Sequence, residues 1–461
     1  MPWVRFHWLV AFGLGATWIL DGLEVTLVGS LSGALEKSSG LGLNAALIGY
    51  AASFYIAGAV LGALLFGWLT DLWGRKRLFT VTLGVYLIAT VLTGLSFNFW
   101  SFVLFRFLTG MGIGGEYAAI NSAVQEFIPA RRRGVTDLVI NGSYWIGAAL
   151  GALGAVAALN PAWLPPTLGW RVAFVTGGVL AIFILLVRKV LPESPRWLMT
   201  HGRVAEAEHI VGRIEAAARR QTLVPQAADL PRIRLGLPQR LSLVDVGRIL
   251  FVQYPARVVL CLTLMATQAF CYNAIFFTYG LILTHFYRIT ARSIGWYILP
   301  FALGNFAGPL LLGHFFDSIG RKPLIAATYA ISGVLVIVVG ILFAQGLLDA
   351  VTQTIAWSVI FFFASAGASA AYLTVGESFP LEMRAFAIAL FYAFGTAIGG
   401  IAGPALFGVL IADGARSDIL NGYLLGGVLM LLAALVELRL GIAAERRPLE
   451  EISAPLSEVT R

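Results

Sequence analysis

The stretch DLWGRKR, residues 71–77, sets four charges in seven positions between long apolar runs. A close copy, DSIGRK, returns at 317–322. Gly67-x3-Asp71-x2-Gly74-Arg75-Lys76 is matched by Gly313-x3-Asp317-x2-Gly320-Arg321-Lys322. A second phrase repeats in the same order: Glu126-x6-Arg133, then Glu377-x6-Arg384, separated by nearly the same interval as the first. Two independent motifs recurring in one order mark an internal duplication.

What is duplicated follows from composition. The 461 residues are 59% hydrophobic and 12% charged, with a mean hydropathy of +0.84. A soluble protein carries about 25% charged residues. Many apolar runs here reach the roughly 20 residues that span a bilayer core as a helix. Reading them between charged or Gly/Pro breaks gives six runs near 8–32, 45–70, 78–97, 100–127, 134–159 and 170–191. Six more lie near 256–285, 292–316, 323–346, 351–377, 385–411 and 420–443. The expected fold is an all-α membrane protein of twelve transmembrane helices in two six-helix pseudo-repeats. Residues 1–191 and 250–461 form the halves, and 192–249 a polar linker with one helical run, VAEAEHIVGRIEAAARR. The first apolar segment is too long for a signal peptide and is expected to stay. Parallel halves of this kind place a substrate site between them near the midplane.

The formal charge of +8 sits mostly in short loops, which is a topological pattern rather than a nucleic-acid footprint. Arg75, Lys76, Arg77, Arg131, Arg132, Arg133, Arg321, Lys322 and Arg384 fall on one side, with the nine arginines of the linker. Lys37, Arg171, Arg288, Arg292 and Arg416 fall on the other. The bias puts both termini and the linker in the cytoplasm, with the bacterial inner membrane as the expected location. Five histidines lack metal-ligand spacing and no phosphate-binding loop occurs, which points away from an enzyme or an ATP-driven pump. No cofactor is expected; the partners are a small-molecule substrate, protons and the lipid bilayer, and the carrier is expected to work as a monomer. Cys261 and Cys271 lie about 15 Å apart along one helix and read as packing residues.

Acids inside the apolar runs carry the chemistry. Asp21 and Glu24, three apart, share one helix face, and intramembrane carboxylates usually face a cavity. Two close carboxylates of this kind form a candidate proton site. Arg106 in the fourth helix lies at a depth matching Glu24, roughly 9 Å against roughly 12 Å from the outer ends. Glu116 lies about 15 Å further along than Arg106 and is left without a role.

Taken together, the chain resembles the major facilitator superfamily, most of all its sugar porter branch. The resemblance rests on both repeated phrases and on Arg106-x3-Gly110-x-Gly112-x-Gly114. It rests also on PESPRWL at 192–198, followed by HGRVAEA, and on ERRPLEEI at 445–452. It implies a secondary transporter working by alternating access, with Asp21 or Glu24 and Arg106 coupling protons to transport. It implies substrate contacts at Asn141, eight residues beyond Arg133, at Gln268 and Asn273 in the seventh helix, and at Tyr372. Departures are visible: Thr267 replaces the first of two glutamines, and SAGASAAY stands where glucose carriers have a proline-rich tenth helix. Asp21-Gly-Leu-Glu24 is closer to aromatic-acid and other metabolite–proton symporters.

Asp71, Arg75, Glu126, Arg133, Asp317, Arg321, Glu377 and Arg384 read as an ion-pair gate that closes the cytoplasmic side. Buried pairs contribute little net stability but cost several kcal/mol when one partner is lost, which suits a switch. Amides donate and accept, so the substrate expected is sugar- or polyol-like, moved by proton symport. The alternative is an aromatic or other organic acid. A drug–proton antiporter would have a broader apolar cavity, and a non-transporting nutrient sensor a longer tail.

Overall fold

The computed structural model describes residues 3–36, 41–43, 45–188, 192–219, 242–289, 293–412 and 414–456. Lys37 and Arg292 lie outside them, as do the side chains of Asp71 and Arg75. In the first half α1 is Arg5–Glu36, α2 Ala45–Trp73, α3 Arg75–Gly94 and α4 Phe99–Phe127. The fifth crossing is split into α5 Arg133–Gly142 and α6 Tyr144–Ala158, and α7 is Pro166–Arg188. The linker holds α8 Pro195–Thr200, α9 Val204–Arg219 and α10 Leu243–Arg248. The second half has α11 Pro255–Tyr287, α12 Ile294–Ser318, α13 Arg321–Ala344 and α14 Ala350–Ser378. Its eleventh crossing is α15 Arg384–Gly395, a π-turn Thr396–Gly400 and α16 Ile401–Ala412; α17 Arg416–Leu440 and the short α18 Leu449–Ile452 complete it.

Among the described residues, nine stretches are long and apolar enough to cross a membrane. Shorter apolar runs, Phe54–Thr70 in α2 and Thr167–Leu180 in α7, add two. The twelfth is α4, whose apolar run is interrupted by Arg106, Glu116 and Glu126. The surface is apolar, with Leu61, Leu104, Leu303, Leu311, Val428 and Leu432 turned outward, whereas Asp21, Glu24, Arg106 and Glu116 are buried. That distribution suits a chain whose outer solvent is lipid.

The duplication is visible in the local chemistry. α4 begins with Asn98, whose Oδ1 accepts from the Ser101 N–H at 2.8 Å. Its counterpart α14 begins with Asp349, whose Oδ1 accepts from the Thr352 N–H at 2.7 Å. Both are capping boxes, which satisfy helix N–H groups that would otherwise lack partners. α4 and α14 each stop before a proline, Pro129 and Pro380, then a 3-10 turn leads into Arg133 and Arg384. Gly74 and Gly320 join α2 to α3 and α12 to α13 with φ of 92° and 129°, which L side chains rarely adopt. The GRK phrase therefore recurs because the same sharp turn recurs.

The halves meet along two seams, α2 against α15 and α5 against α12. Two crossings differ from the sequence reading, which took 134–159 and 385–411 as single helices. The first is interrupted at Ser143, whose hydroxyl donates to Ile140 O at 2.6 Å and also lies 3.1 Å from Gly15 O of α1. The second loosens into the π-turn before Ile401. Within them Gly147 meets Ile19 of α1, and Gly399 meets Ala266 and Phe270 of α11, so closely that a Cβ would overlap backbone atoms. Small residues at such positions let helix backbones approach this closely.

Candidate functional site

Three layers of polar groups run through the molecule. At the first, the Arg106 Nη1 donates to Glu24 Oε1 at 2.6 Å, with both side chains almost wholly buried. The guanidinium also lies 4.4 Å from the Tyr55 ring centroid, a cation–π contact. Glu24 Oε2 has no hydrogen-bond partner and lies beside Gly177 of α7. Asp21 is fully buried one turn earlier, near enough to Tyr144 and Tyr392 to act on both electrostatically.

The second layer is a cavity of about 180 Å³ between the halves. α1, α2, α4, α5, α6, α11, α14 and α15 all contribute to its wall. Asn141, Gln268, Asn273 and Tyr372 line it, as do Trp18, Tyr55, Tyr117, Tyr144, Trp145, Tyr272, Phe276 and Tyr392. Nine of the twenty lining residues are aromatic and none is charged. Tyr117 and Tyr392 stack across the seam with centroids 4.4 Å apart, and Trp18 meets Tyr117 edge-on at 4.3 Å. Both helix interruptions open onto this wall, at Tyr144–Trp145 and at Thr396.

The third layer lies at the charged-loop end, where ion pairs span the seam. Glu377 accepts from Arg321 Nε at 2.8 Å and Nη2 at 3.0 Å, and from Arg133 Nη1 at 3.1 Å. Asp317 pairs with Arg321 at 2.7 Å and accepts from the N–H groups of Gly134 and Val135 at 3.1 and 2.9 Å. A carboxylate from α12 thus caps α5 of the other half, where a helix N-terminus favours negative charge. Arg384 departs from the expected ion-pair symmetry. It donates to Phe379 O at 3.4 Å, and its Nε and Nη1 have no hydrogen-bond partner. Glu126 is buried within reach of Ser122 Oγ at 3.5 Å.

Residues outside the expected set complete this layer. Arg196 donates from Nη1 to Glu126 O and from Nε to Glu450 Oε1, both at 2.8 Å, tying the linker to α4 and to the tail. Glu193 accepts from the Lys76 N–H at 3.3 Å, and Glu445 from the Arg321 N–H at 3.4 Å. The two half-ending segments thus cap equivalent helices, α3 and α13. Asp137 is fully buried one turn beyond Arg133. Its place was readable in the sequence: 133, 137 and 141 are spaced by four and share one helix face.

Two packed six-helix halves around a cavity between them, bridged at one end by ion pairs across the seam, have the architecture of a membrane transporter. The chain belongs to the Sugar (and other) transporter family of the major facilitator superfamily, which it matches over residues 27–454. It is 29% identical over 455 residues to the niacin transporter NiaP of Acinetobacter baylyi, covering 98% of both chains. It is 31% identical to the 4-hydroxybenzoate transporter PcaK of the same organism over 215 residues, 46% of this chain and 45% of that one. Among solved structures, the proton:xylose symporter XylE bound to 6-bromo-6-deoxy-D-glucose superposes with a TM-score of 0.81 at 18% identity. That match covers 96% of this chain and 98% of XylE.

Proposed function

We propose that this transporter is a proton symporter for a small single-ring aromatic acid, in the size class of niacin or 4-hydroxybenzoate. The observation that carries the reading is the cavity, about 180 Å³, nearly half aromatic by residue and uncharged. An engineered apolar cavity of about 150 Å³ holds benzene, so this one suits a single ring with a small substituent. Offset or edge-on aromatic contacts add about 0.5–1.5 kcal/mol each beyond area burial.

A carboxylate entering an uncharged cavity needs compensation, and the first layer supplies it. Protonating Glu24 removes the negative partner of Arg106, leaving a guanidinium against Tyr55, itself part of the cavity wall. Proton and anion then favour each other's binding, which is the linkage that symport requires. Asp21, buried nearby, is a second candidate for the proton. Asn141, Gln268, Asn273 and Tyr372 orient the ring substituents. The charged-loop end faces the cytoplasm of a bacterial inner membrane, and the third layer is its gate.

A sugar- or polyol-like substrate is the second reading, favoured by the three amides on the wall and open to the same proton chemistry. Uptake into proteoliposomes separates the two. With an inwardly directed proton gradient, labelled niacin or 4-hydroxybenzoate should accumulate, and unlabelled benzoate should compete while xylose does not. Accumulation of xylose, unaffected by aromatic acids, would overturn the ring reading. Glu24→Gln should abolish gradient-driven accumulation while sparing exchange of substrate between the two sides. Normal accumulation in both Glu24→Gln and Asp21→Asn would remove this pair from the coupling.

A further inference from the structure

Asn141 stands on the cavity wall at the end of α5, just before the break at Ser143. Its amide nitrogen is surrounded by acceptors: the Asp137 carbonyl at 2.9 Å, Asp137 Oδ2 at 3.2 Å and Asn121 Oδ1 at 3.3 Å. A side-chain amide has two N–H groups, and three oxygens compete for them. The other end of the amide is the opposite case. Asn141 Oδ1 is buried and has no hydrogen-bond partner.

Turning the amide over would set that oxygen against three others, so its orientation is fixed by the network and not by the ligand. Asp137 supplies two of the three acceptors. Its own Oδ1 lies 3.5 Å from Gln125 Nε2, and Gln125 in turn packs on Gly376 across the seam. The charged groups around Asp137 are Arg133 on its own helix and Arg321 and Glu377 from the other half. The backbone carbonyl of Asp137 engages one N–H whatever the state of the side chain, which leaves Asp137 Oδ2 and Asn121 Oδ1 to hold the second.

A buried acceptor without a partner is costly, and a ligand that supplies the missing donor removes that cost. We infer that Asp137 is a positioning residue that presents Asn141 as an acceptor, so that the carrier selects ligands placing a hydrogen-bond donor there. This rests on the aromatic-acid reading and narrows it to ring acids that carry a hydroxyl. Discrimination of this kind is strong where a site is built around the missing group, because the wrong ligand leaves a buried polar atom unpaired.

Calorimetric titration of the purified full-length carrier tests it, using the three hydroxybenzoates against the corresponding fluorobenzoates. Fluorine approximates the hydroxyl in size but donates nothing. The best hydroxy isomer should bind about tenfold more tightly than its fluoro partner, the cost of one unpaired buried acceptor. Asp137→Ala removes one of the two acceptors of the second N–H, so the amide is held less firmly. It should shrink that ratio at least about threefold, with fluorobenzoate affinity nearly unchanged. Asp137→Asn keeps an acceptor oxygen and should preserve the ratio, which a requirement for charge alone would not explain. Asn141→Ala should bring the ratio close to one, and it serves where Asp137→Ala does not fold. An unchanged ratio in Asp137→Ala or Asn141→Ala, or an equal loss of both affinities, would sink the inference. If xylose binds and aromatic acids do not, the ring reading fails by itself. The same variants are then compared on xylose and its monofluoro analogues, where loss of the hydroxyl preference supports the positioning role and its persistence overturns it.

Discussion

Arg133 and Arg384 hold equivalent places in the duplicated sequence and unequal ones in the structure. Arg133 reaches Glu377 of the other half and Arg447 O of the tail at 3.4 Å, whereas Arg384 reaches a carbonyl of its own half. Breaking a buried ion pair costs about 3–5 kcal/mol. Glu377 would keep Arg321 after Arg133→Ala, so the loss to the closed state is smaller, about 1–3 kcal/mol, or roughly five- to 150-fold in the balance. Arg133→Ala should therefore open the charged-loop end, and Arg384→Ala should do so much less. A cysteine at Gln125, which packs across the seam on Gly376, reports this by its labelling rate in a background lacking Cys261 and Cys271. Equal rates in the two variants would show that the cross-seam pair does not hold the gate. Sequence reading placed these arginines in one cluster because spacing repeats faithfully in a duplication. It could not show which copy faces its counterpart, since that depends on how the halves dock. Asp137 escaped for a related reason: beside three loop arginines an acid reads as local charge balance, and only the i, i+4 relation to Asn141 marks it as part of the cavity.

At the level of elements, the interruptions at Ser143 and Thr396–Gly400 were hidden because each lies inside a run apolar enough to pass as one helix. π-turns inside helices frequently mark functional sites, and both breaks here touch the cavity wall. The linker and tail show the opposite balance, since their motifs were recognised by resemblance and their contacts come from the structure. Glu450 of α18 is partly buried, which works to raise its pKa, but the Arg196 guanidinium beside it prevails and holds it below the usual carboxylate range. A lowered folded pKa means that the stabilisation is present above the unfolded value, about 4.3 for glutamate. It is lost as pH falls through the lowered value. The two side chains remain about a quarter to a third exposed, so solvent screening limits the pair to about 0.2–1 kcal/mol. A fluorophore on Glu451→Cys should become more mobile below about pH 4. Glu450→Gln should produce that mobility at neutral pH and flatten the pH response. A pH response that survives Glu450→Gln would assign the release to another group.

At the scale of the whole molecule, the fold was the most legible feature and the ligand the least. Hydropathy sets the number of crossings and repeated loop charges set the halves, both of which are local readings. The cavity draws one or a few residues from each of eight helical segments, so no contiguous motif encodes it and its aromatic character emerges only on packing. Orientation ties these scales together, because it decides which of the two ionic layers lies nearer the outside. The Glu24–Arg106 layer lies toward the loops with fewer charges and the Arg133–Glu377 layer toward the other end. A symporter moves proton and substrate together, so an inward proton gradient drives uptake in either orientation; what orientation changes is which layer meets the proton-rich side first. Ala216 is exposed on α9 of the linker, and Ala216→Cys in an otherwise cysteine-free carrier decides between the two orientations. An impermeant maleimide should leave it unmodified in intact cells and label it once the membrane is opened. Labelling of intact cells would reverse the topology and put the Arg133–Glu377 layer, not the Glu24–Arg106 layer, nearer the outside.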